Sequence, residues 1–246
     1  LAKIFTHKTT EQLRYDYEYN ADILKSHGRI LHKDNLHKYS NKLSSICNSI
    51  LSSTGIVIVY SQYIDGGVVP MALALEEMGF SRYGYAGHTK SLFKKTPTES
   101  IDSITMKPRS EENKGNFKPA KYVMITGDKR FSPNNYDDMK YITSPDNANG
   151  ENVKVILITK AAAEGLDFKN IRQIHIMEPW YNMNRVEQII GRGVRNLSHC
   201  SLSFEDRNVE IYLHATLPPD EEETADMYVY RFAEKKAKQI GLVTRI

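Results

Sequence analysis

Four short apolar runs constrain the fold of this 246-residue chain more than any other feature of its sequence. They are rich in β-branched residues and comprise residues 55–60, 122–126, 153–159 and 173–177. An apolar run of this length without alternation is typical of a strand buried on both faces of a parallel sheet. None approaches the roughly 20 residues that a membrane-spanning helix needs, so no membrane helix is predicted.

Helical patterns separate these runs. Residues 68–79 predict a helix with Pro70 in its first turn and Gly79 at its end. Residues 184–196 predict a short helix capped by Asn184, and a closing helix extends from Asp220 to about residue 239. With a fifth strand at 209–214, the alternation predicts an α/β domain whose mainly parallel sheet is flanked by helices.

The chain divides into a leading segment, a main domain and an insertion. Residues 1–53 are predicted to be mostly helical because apolar residues recur there every three or four positions, and residues 54–246 form the domain. Residues 81–121 show no sustained period and are predicted to be a long loop. Eleven basic and five acidic residues lie between positions 81 and 130, which suits a phosphate backbone, an acidic partner or, equally, a solvated loop.

Charge and cysteine content exclude several classes of site. The net charge of +3 is too small to indicate a partner by itself. Cys47 and Cys200 cannot form a disulfide framework and neither belongs to a metal-ligand pair. His27, His32 and His37 recur at every fifth position and fall on different helix faces, so no metal site is predicted.

Small and polar residues follow the predicted strands. In an open α/β sheet ligands bind beyond the carboxyl ends of the strands, where small side chains and free N–H groups let a phosphate chain approach. We expect the segments that follow the strands to share one edge of the sheet; they are 61–63, 126–128, 159–167 and 178–182.

The helix over 185–195 carries the strongest signal for chemistry. Gln188, Arg192 and Arg195 stand at i, i+4 and i+7, the spacing of one helical face, and form a cationic fork suited to phosphoryl oxygens. From the spacing alone, a solvated basic face is an equally good interpretation. Gly191 and Gly193 each weaken a helix by about 1 kcal/mol, which indicates close approach by another surface.

These segments together resemble a known family. Ala163-Glu-Gly-Leu-Asp-Phe168, Ile174-His-Ile-Met-Glu-Pro-Trp180 and Gln188-x-x-Gly-Arg-x-x-Arg195 are similar to motifs V, Va and VI of superfamily 2 helicases, and residues 55–61 to motif IV. The chain looks most like helicase-like ATPases and early transcription factors of nucleocytoplasmic large DNA viruses. The resemblance covers roughly residues 55–195 and implies the second, C-terminal RecA-like lobe of a helicase.

The resemblance also implies roles for individual residues. Arg192 and Arg195 match arginines of which one acts as a finger on the γ-phosphate of ATP, and Gln188 matches a glutamine that helps to read the nucleotide. Gly165 and Asp167 match a pair near the ribose and the phosphates. Six further residues fall where the family contacts a nucleic-acid backbone: Ser61, Gln62, Thr126, Gly127, Thr159 and Lys160.

Two motifs of a working motor are missing. The chain contains neither a G-x-x-x-x-G-K-[ST] phosphate loop nor an acidic Mg²⁺-binding motif at a strand end. The resemblance therefore implies one lobe of a larger ATP-dependent helicase or translocase, with ATP and Mg²⁺ bound mainly by an N-terminal lobe and no cofactor or metal intrinsic to this chain. The isolated chain is predicted to be inactive.

The implied partners are nucleic acid, with DNA favoured over RNA, the N-terminal lobe and transcription machinery, but no membrane. The implied location is intracellular and cytoplasmic, with packaging in a virion as a further option. A non-catalytic module that docks nucleic acid or transcription machinery is the alternative function. A dehydrogenase or methyltransferase is a third option, disfavoured because no G-x-G-x-x-G turn follows the first strand.

Overall fold

A parallel β-sheet forms the centre of the fold. The computed structural model describes residues 1, 3–6, 9–10, 14–84, 91–160, 166–219 and 223–245, with the backbone alone at 9, 10, 14 and 15. The strands are β1 (Phe5–Thr6), β2 (Thr9–Thr10), β3 (Arg14–Tyr15), β4 (Glu18–Tyr19), β5 (Ile56–Tyr60), β6 (Ser81–Arg82), β7 (Lys121–Ile125), β8 (Val155–Ile158), β9 (Ile171–Ile176) and β10 (Glu210–Leu213). The main sheet has the order β10-β9-β5-β8-β7-β6, and all its neighbouring strands are parallel.

Helices cover both faces of this sheet. They are α1 (Ala21–His27), α2 (Lys33–Tyr39), α3 (Asn41–Ser52), α4 (Val69–Glu77), α5 (Asn135–Ile142), α6 (Met183–Gly193) and α7 (Ala225–Thr244). A π-helical turn at Ile64–Val68 leads into α4, and short 3₁₀ turns lie at Pro145–Asn147 and Phe204–Asp206. Among the described helices, none is both long enough and apolar enough to cross a membrane.

The two faces of the sheet build two cores. Val57 and Val59 of β5 point into a core with α2, α3 and α4, whereas Ile56 and Ile58 point into a second core with α5 and α6. Every residue of β5 and β8 is buried, as expected for strands covered on both sides. The predicted α/β fold with a mainly parallel sheet flanked by helices is confirmed.

Three helix predictions differ from the structure. Helix α5 lies within the polar stretch 132–150, where the sequence pattern predicts no helix. Helix α6 follows Asn182, which makes no side-chain capping bond, so the predicted cap at Asn184 is wrong. The closing helix α7 begins later than predicted, after Thr224, whose hydroxyl accepts a hydrogen bond from the Met227 amide; the predicted cap, Asp220, lies outside the described residues.

Within the leading segment, the described residues are helical only from α1 onward. The strands β1 and β4 pair antiparallel, and β2 pairs with β3. The ring of Phe5 packs against Tyr19 and Phe93 with centroid distances of 4.6 and 6.0 Å. These tertiary contacts favour extended backbone at β1 and β4, so the prediction of a mostly helical segment over 1–53 is wrong for the residues described before α1. The domain boundaries themselves stay a prediction.

The insertion is anchored to the core by one buried carboxylate. Glu76 of α4 is 1% exposed and accepts hydrogen bonds from the Tyr122 hydroxyl at 2.7 Å, from the Leu92 and Phe93 amides at 2.8 and 3.2 Å, and from the Ser91 hydroxyl. Burial raises the pKa of Glu76, and the four donors oppose that rise. A long loop is thereby fixed against the helix that precedes β6.

A second buried carboxylate, that of Asp102, joins two separate parts of the insertion, near residues 105 and 118. Asp102 is 4% exposed and accepts hydrogen bonds from the amides of Ile104, Thr105 and Lys118. The amide of Ile101 donates to the Gly79 carbonyl, next to the start of β6. The part of the insertion around Ile101 and Asp102 therefore lies at the amino edge of the sheet.

Helix α6 lies close to β9 because Gly193 has no side chain. A Cβ atom at Gly193 would lie 3.0 Å from Cδ1 of Ile174 and 3.3 Å from Ile171, tighter than ordinary van der Waals contact. The close approach predicted from the sequence therefore exists at Gly193. At Gly191 a Cβ would meet no described atom within 4 Å, so nothing within the described chain requires glycine there.

The two glycines form a matched pair of variants. Gly193→Ala is expected to lower the free energy of unfolding of the chain by about 1–3 kcal/mol, because the added methyl overpacks the interface between α6 and β9. Gly191→Ala is expected to leave it unchanged or raise it by up to about 1 kcal/mol, because alanine is the better helix former. Urea unfolding measures both, and equal losses in the two variants would contradict this packing.

Helix α5 buries a carboxyl group without a partner for one oxygen. Asp138 is 3% exposed, and its Oδ1 accepts no hydrogen bond from the described residues. Burial raises the pKa of this carboxyl from 3.8 to about 6, against the opposing charge of Arg82. Since the folded-state pKa lies above the unfolded value, protonated Asp138 stabilises the fold below pH 3.8, and this contribution is lost as the pH rises through 6.

A neutral side chain at this position should remove that pH dependence. We expect the stability of Asp138→Asn relative to the unsubstituted chain to rise by about 2–3 kcal/mol between pH 4 and pH 7, since one pKa unit corresponds to about 1.4 kcal/mol. Urea unfolding at several pH values measures the difference. Asp146→Asn, which removes a carboxyl charge from the exposed surface, is the control, and the same rise in that variant would contradict the assignment to Asp138. A flat difference for Asp138→Asn would overturn the prediction.

Candidate functional site

The carboxyl edge of the sheet gathers the residues that follow the strands. Ser61 follows β5 and donates its amide to the Ile158 carbonyl at 3.1 Å, and Thr159 donates its amide to the Ile125 carbonyl at 3.3 Å. Because β5, β7 and β8 are parallel neighbours, Ser61, Thr126 and Thr159 lie side by side at this edge. The expectation of a common edge is confirmed for these strand ends.

Three of the six predicted nucleic-acid contacts are buried. Ser61 is fully buried, and its hydroxyl donates to Oε1 of Glu178 at 2.8 Å. The Thr126 hydroxyl is hydrogen-bonded to the Ser132 hydroxyl, and Thr159 is 4% exposed. The surface positions at this edge are Gln62, which is half-buried, and Gly127 and Lys160, which are exposed.

The edge is held together by two residues that the sequence analysis did not single out. Glu178 accepts the amide of Gln62 as well as the Ser61 hydroxyl, and burial raises its pKa. Lys42 of α3 donates to the Met177 carbonyl at 2.9 Å and pairs with Asp226 of α7 at 2.8 Å. Glu178 lies two residues after the end of β9, within the segment 178–182 that is expected at this edge, although no role is predicted for it. Lys42 lies too far away along the chain to leave a signal.

Asp167 brings the two predicted finger arginines together. Nη1 of Arg195 lies 2.6 Å from Oδ2 of Asp167, and Nη1 of Arg192 lies 3.7 Å from Oδ1. Arg192 also donates to the Leu166 carbonyl at 3.4 Å, and Nε of Arg195 donates to the Gly191 carbonyl at 3.0 Å. Two guanidinium groups therefore share one carboxylate, and each also has a backbone acceptor.

Arg195 reaches this cluster by a different route from the predicted one. Helix α6 ends at Gly193, so Arg195 does not stand on its face at i+7, and its side chain folds back over the last turn instead. Gln188 is exposed one helical turn before Arg192. Gly165, the other predicted nucleotide contact, lies outside the described residues.

The cluster lies beside the amino end of β9. The amide of Phe168 donates to the Arg192 carbonyl, and the amide of Asn170 donates to the Ser198 carbonyl just before β9 begins at Ile171. The prediction that Asp167 shares the carboxyl edge with Ser61 and Thr126 is therefore wrong. The reason is that the connection from β8 to β9 crosses from the carboxyl edge to the amino edge, and Asp167 lies near its far end.

The cluster has the charge and the exposure to bind a phosphoryl group. The side chains of Arg192, Arg195 and Asp167 are 20%, 46% and 57% exposed, so a ligand can reach them. Two cations and one anion leave an excess of positive charge, and arginine pairs phosphate oxygens in a bidentate manner. In the part of the chain that the structure describes, no three His, Cys, Asp or Glu side chains gather as a set of metal ligands.

Comparison with known proteins agrees with this architecture. Residues 135–196 match the helicase conserved C-terminal domain. The chain is 28% identical over 187 residues to a protein of Acanthamoeba polyphaga mimivirus that is named as an ATP-dependent RNA helicase, which covers 75% of this chain and 27% of that protein. It is 30% identical over 185 residues to the termination factor NPH-I homolog of African swine fever virus, which covers 71% of this chain and 26% of that protein.

Two further similarities cover more of this chain at lower identity. A protein of Invertebrate iridescent virus 3 that is named as a helicase is 26% identical over 219 residues, which covers 86% of this chain and 20% of that protein. Among solved structures, the C-terminal part of the Fun30 ATPase domain aligns with 91% of this chain and 57% of that one, at 11% identity and a TM-score of 0.39, which is too low to support an argument.

The resemblance that the motifs suggest is confirmed by the domain match and by these relatives. The chain spans 20–27% of the length of the three viral proteins. It carries a helicase conserved C-terminal domain and is related to helicases and termination factors of large DNA viruses.

Proposed function

We propose that this chain is the C-terminal motor lobe of an ATP-dependent nucleic-acid helicase or translocase. The observation that carries the proposal is the pair of guanidinium groups of Arg192 and Arg195, which lie together on one exposed carboxylate at the end of α6. In the whole protein these groups would face the γ-phosphate of an ATP molecule held by a companion lobe. A scaffold that only docks other proteins has no need of such a pair.

The chemistry that follows is electrostatic. Negative charge accumulates on the phosphoryl oxygens during transfer, and a correctly placed arginine stabilises it by a factor of roughly 10³–10⁵ in rate. Gln188, one turn before Arg192, would contact the nucleotide or the facing lobe. The open surface at Gly191 would let that lobe approach the backbone of α6.

ATP is the substrate and Mg²⁺ its companion ion, and the companion lobe would hold both. This chain offers arginines for phosphate but, within its described residues, no set of metal ligands, so we assign no step at Mg²⁺ to it. The isolated chain is accordingly proposed to hydrolyse no ATP.

The carboxyl edge would contact the nucleic acid. Lys160 and Gly127 are exposed there, and Gln62 is half-buried, so a phosphate backbone can reach a cation, a backbone amide and an amide side chain. Closure of the two lobes on ATP and their reopening after hydrolysis would move this edge along a strand. DNA is the proposed track, and transcription machinery a proposed partner, in the cytoplasm of an infected cell or in the virion.

The finger arginines are tested in the whole protein. Arg192→Ala or Arg195→Ala is expected to lower kcat for ATP hydrolysis by about 10³-fold or more, because the charge that develops on the γ-phosphate loses its partner. Nucleic-acid affinity should be retained, since the arginine cluster lies away from the carboxyl edge. Steady-state hydrolysis and fluorescence anisotropy measure the two quantities.

Arg231→Ala is the matched control, because Arg231 is an exposed arginine of α7 that is paired with Glu223 far along the chain from the cluster. It should leave kcat unchanged. Undiminished kcat in both cluster variants, or appreciable hydrolysis by the purified 246-residue chain alone, would overturn the assignment.

The nucleic-acid edge is tested by salt dependence. Lys160→Ala is expected to weaken binding of single-stranded DNA to the whole protein by about 3- to 10-fold at low salt and to reduce the slope of log K against log salt by about 0.7–1, as for one lost phosphate contact. Lys238→Ala, at an exposed lysine of α7 that pairs with Glu234, should change neither quantity. An unchanged slope for Lys160→Ala would place the strand elsewhere.

A further inference from the structure

Asp167 occupies an unexpected position for a nucleotide-binding residue. The resemblance assigns it to the ribose and the phosphates, yet in this structure its Oδ2 is paired with Arg195 and its Oδ1 with Arg192. Both carboxylate oxygens are thus already engaged by guanidinium groups. An additional negative charge at this point would repel a triphosphate rather than attract it.

The same contacts determine where the arginines point. Arg195 is held at both ends of its guanidinium, by Asp167 and by the Gly191 carbonyl, and Arg192 is held by Asp167 and by the Leu166 carbonyl. All of these partners belong to this chain. Nη1 of both arginines and Nε of Arg195 are therefore already engaged, and a γ-phosphate that pairs with these atoms must compete with the acceptors that hold them.

We propose that Asp167 is a competing anion that holds Arg192 and Arg195 in a resting position until the phosphates of ATP take them over. This inference rests on the proposed function, because it assumes that these arginines engage the nucleotide. Asp167 then acts as a positioning residue through the arginines and does not contact the nucleotide itself. Its single charge loses the competition because a triphosphate carries several.

The size of the effect follows from the exposure of the pairs. Exposed ion pairs are weak individually, and two of them on one carboxylate should reduce the affinity for a competing phosphate chain by about 3- to 10-fold. Salt screens such pairs, so the penalty should shrink as ionic strength rises. A contact between Asp167 and a ribose hydroxyl would show neither property.

The test uses the whole protein and two probes, ATP and inorganic tripolyphosphate, which lacks the ribose. Asp167→Asn keeps the shape of the side chain and removes its charge. Isothermal titration calorimetry should then give Kd values that fall by about 3- to 10-fold for both probes, with a gain that diminishes between about 50 and 500 mM NaCl. Asp167→Glu keeps the charge, so its Kd values for both probes should stay close to those of the unsubstituted protein.

Two controls isolate the arginines. In an Arg192→Gln/Arg195→Gln background, Asp167→Asn should change neither Kd, because there is no longer a cation for the carboxylate to hold. Glu223→Gln removes the same charge from another exposed acid–arginine pair and should also have no effect. If affinity rises by the same factor in either control, the effect comes from the loss of negative charge in general and the proposal is overturned.

Other outcomes are equally decisive. If Asp167→Asn binds ATP more weakly and tripolyphosphate with unchanged affinity, Asp167 is a ribose ligand. If its affinity for both probes is unchanged, Asp167 does not compete for the arginines. Either result overturns the inference. The proposed function fails separately, on unaltered kcat in the arginine variants. Tighter tripolyphosphate binding by Asp167→Asn would still support the competing anion in that case.

Discussion

The missing side chain at Gly193 sets the position of the whole arginine cluster. It lets the end of α6 lie against Ile171 and Ile174 of β9, and at that distance the carbonyl of Arg192 accepts the amide of Phe168. The connection that carries Asp167 is thereby fixed beside the end of the helix. Both guanidinium groups meet one carboxylate as a consequence of backbone packing, before any interaction between the charges is considered.

The central sheet was predictable because its strands are buried on both faces. Such strands need apolar side chains at every position, and this requirement is visible in single runs such as residues 55–60. Helix α5 was not predictable, since only Met139 and Ile142 of its eight residues are buried apolar side chains. The strands β1 and β4 pack against Phe93, about 80 residues away along the chain, and no local pattern reveals this contact.

The candidate site was predicted more reliably in composition than in geometry. The spacing of Arg192 and Arg195 identified a cationic pair, but the helix ends before Arg195, and the pair depends on the way in which the chain folds back. The polar residues that follow the strands indicated the carboxyl edge, but they did not show that several of these side chains are buried. Ser61 is withdrawn from the surface by Glu178, and a side chain's partner across the sheet cannot be read from its own neighbours.

The hydrogen bonds of Asp102 affect which insertions and deletions this chain can tolerate during evolution. The amides of Thr105 and Lys118 meet at this one carboxylate, so residues 106–117 form an excursion whose two ends are tied together at its base. Lengthening an excursion closed in this way costs only about 0.6 kcal/mol of loop-closure entropy for each doubling. Insertions and deletions at this point can therefore accumulate while the sheet and both of its edges keep their shape.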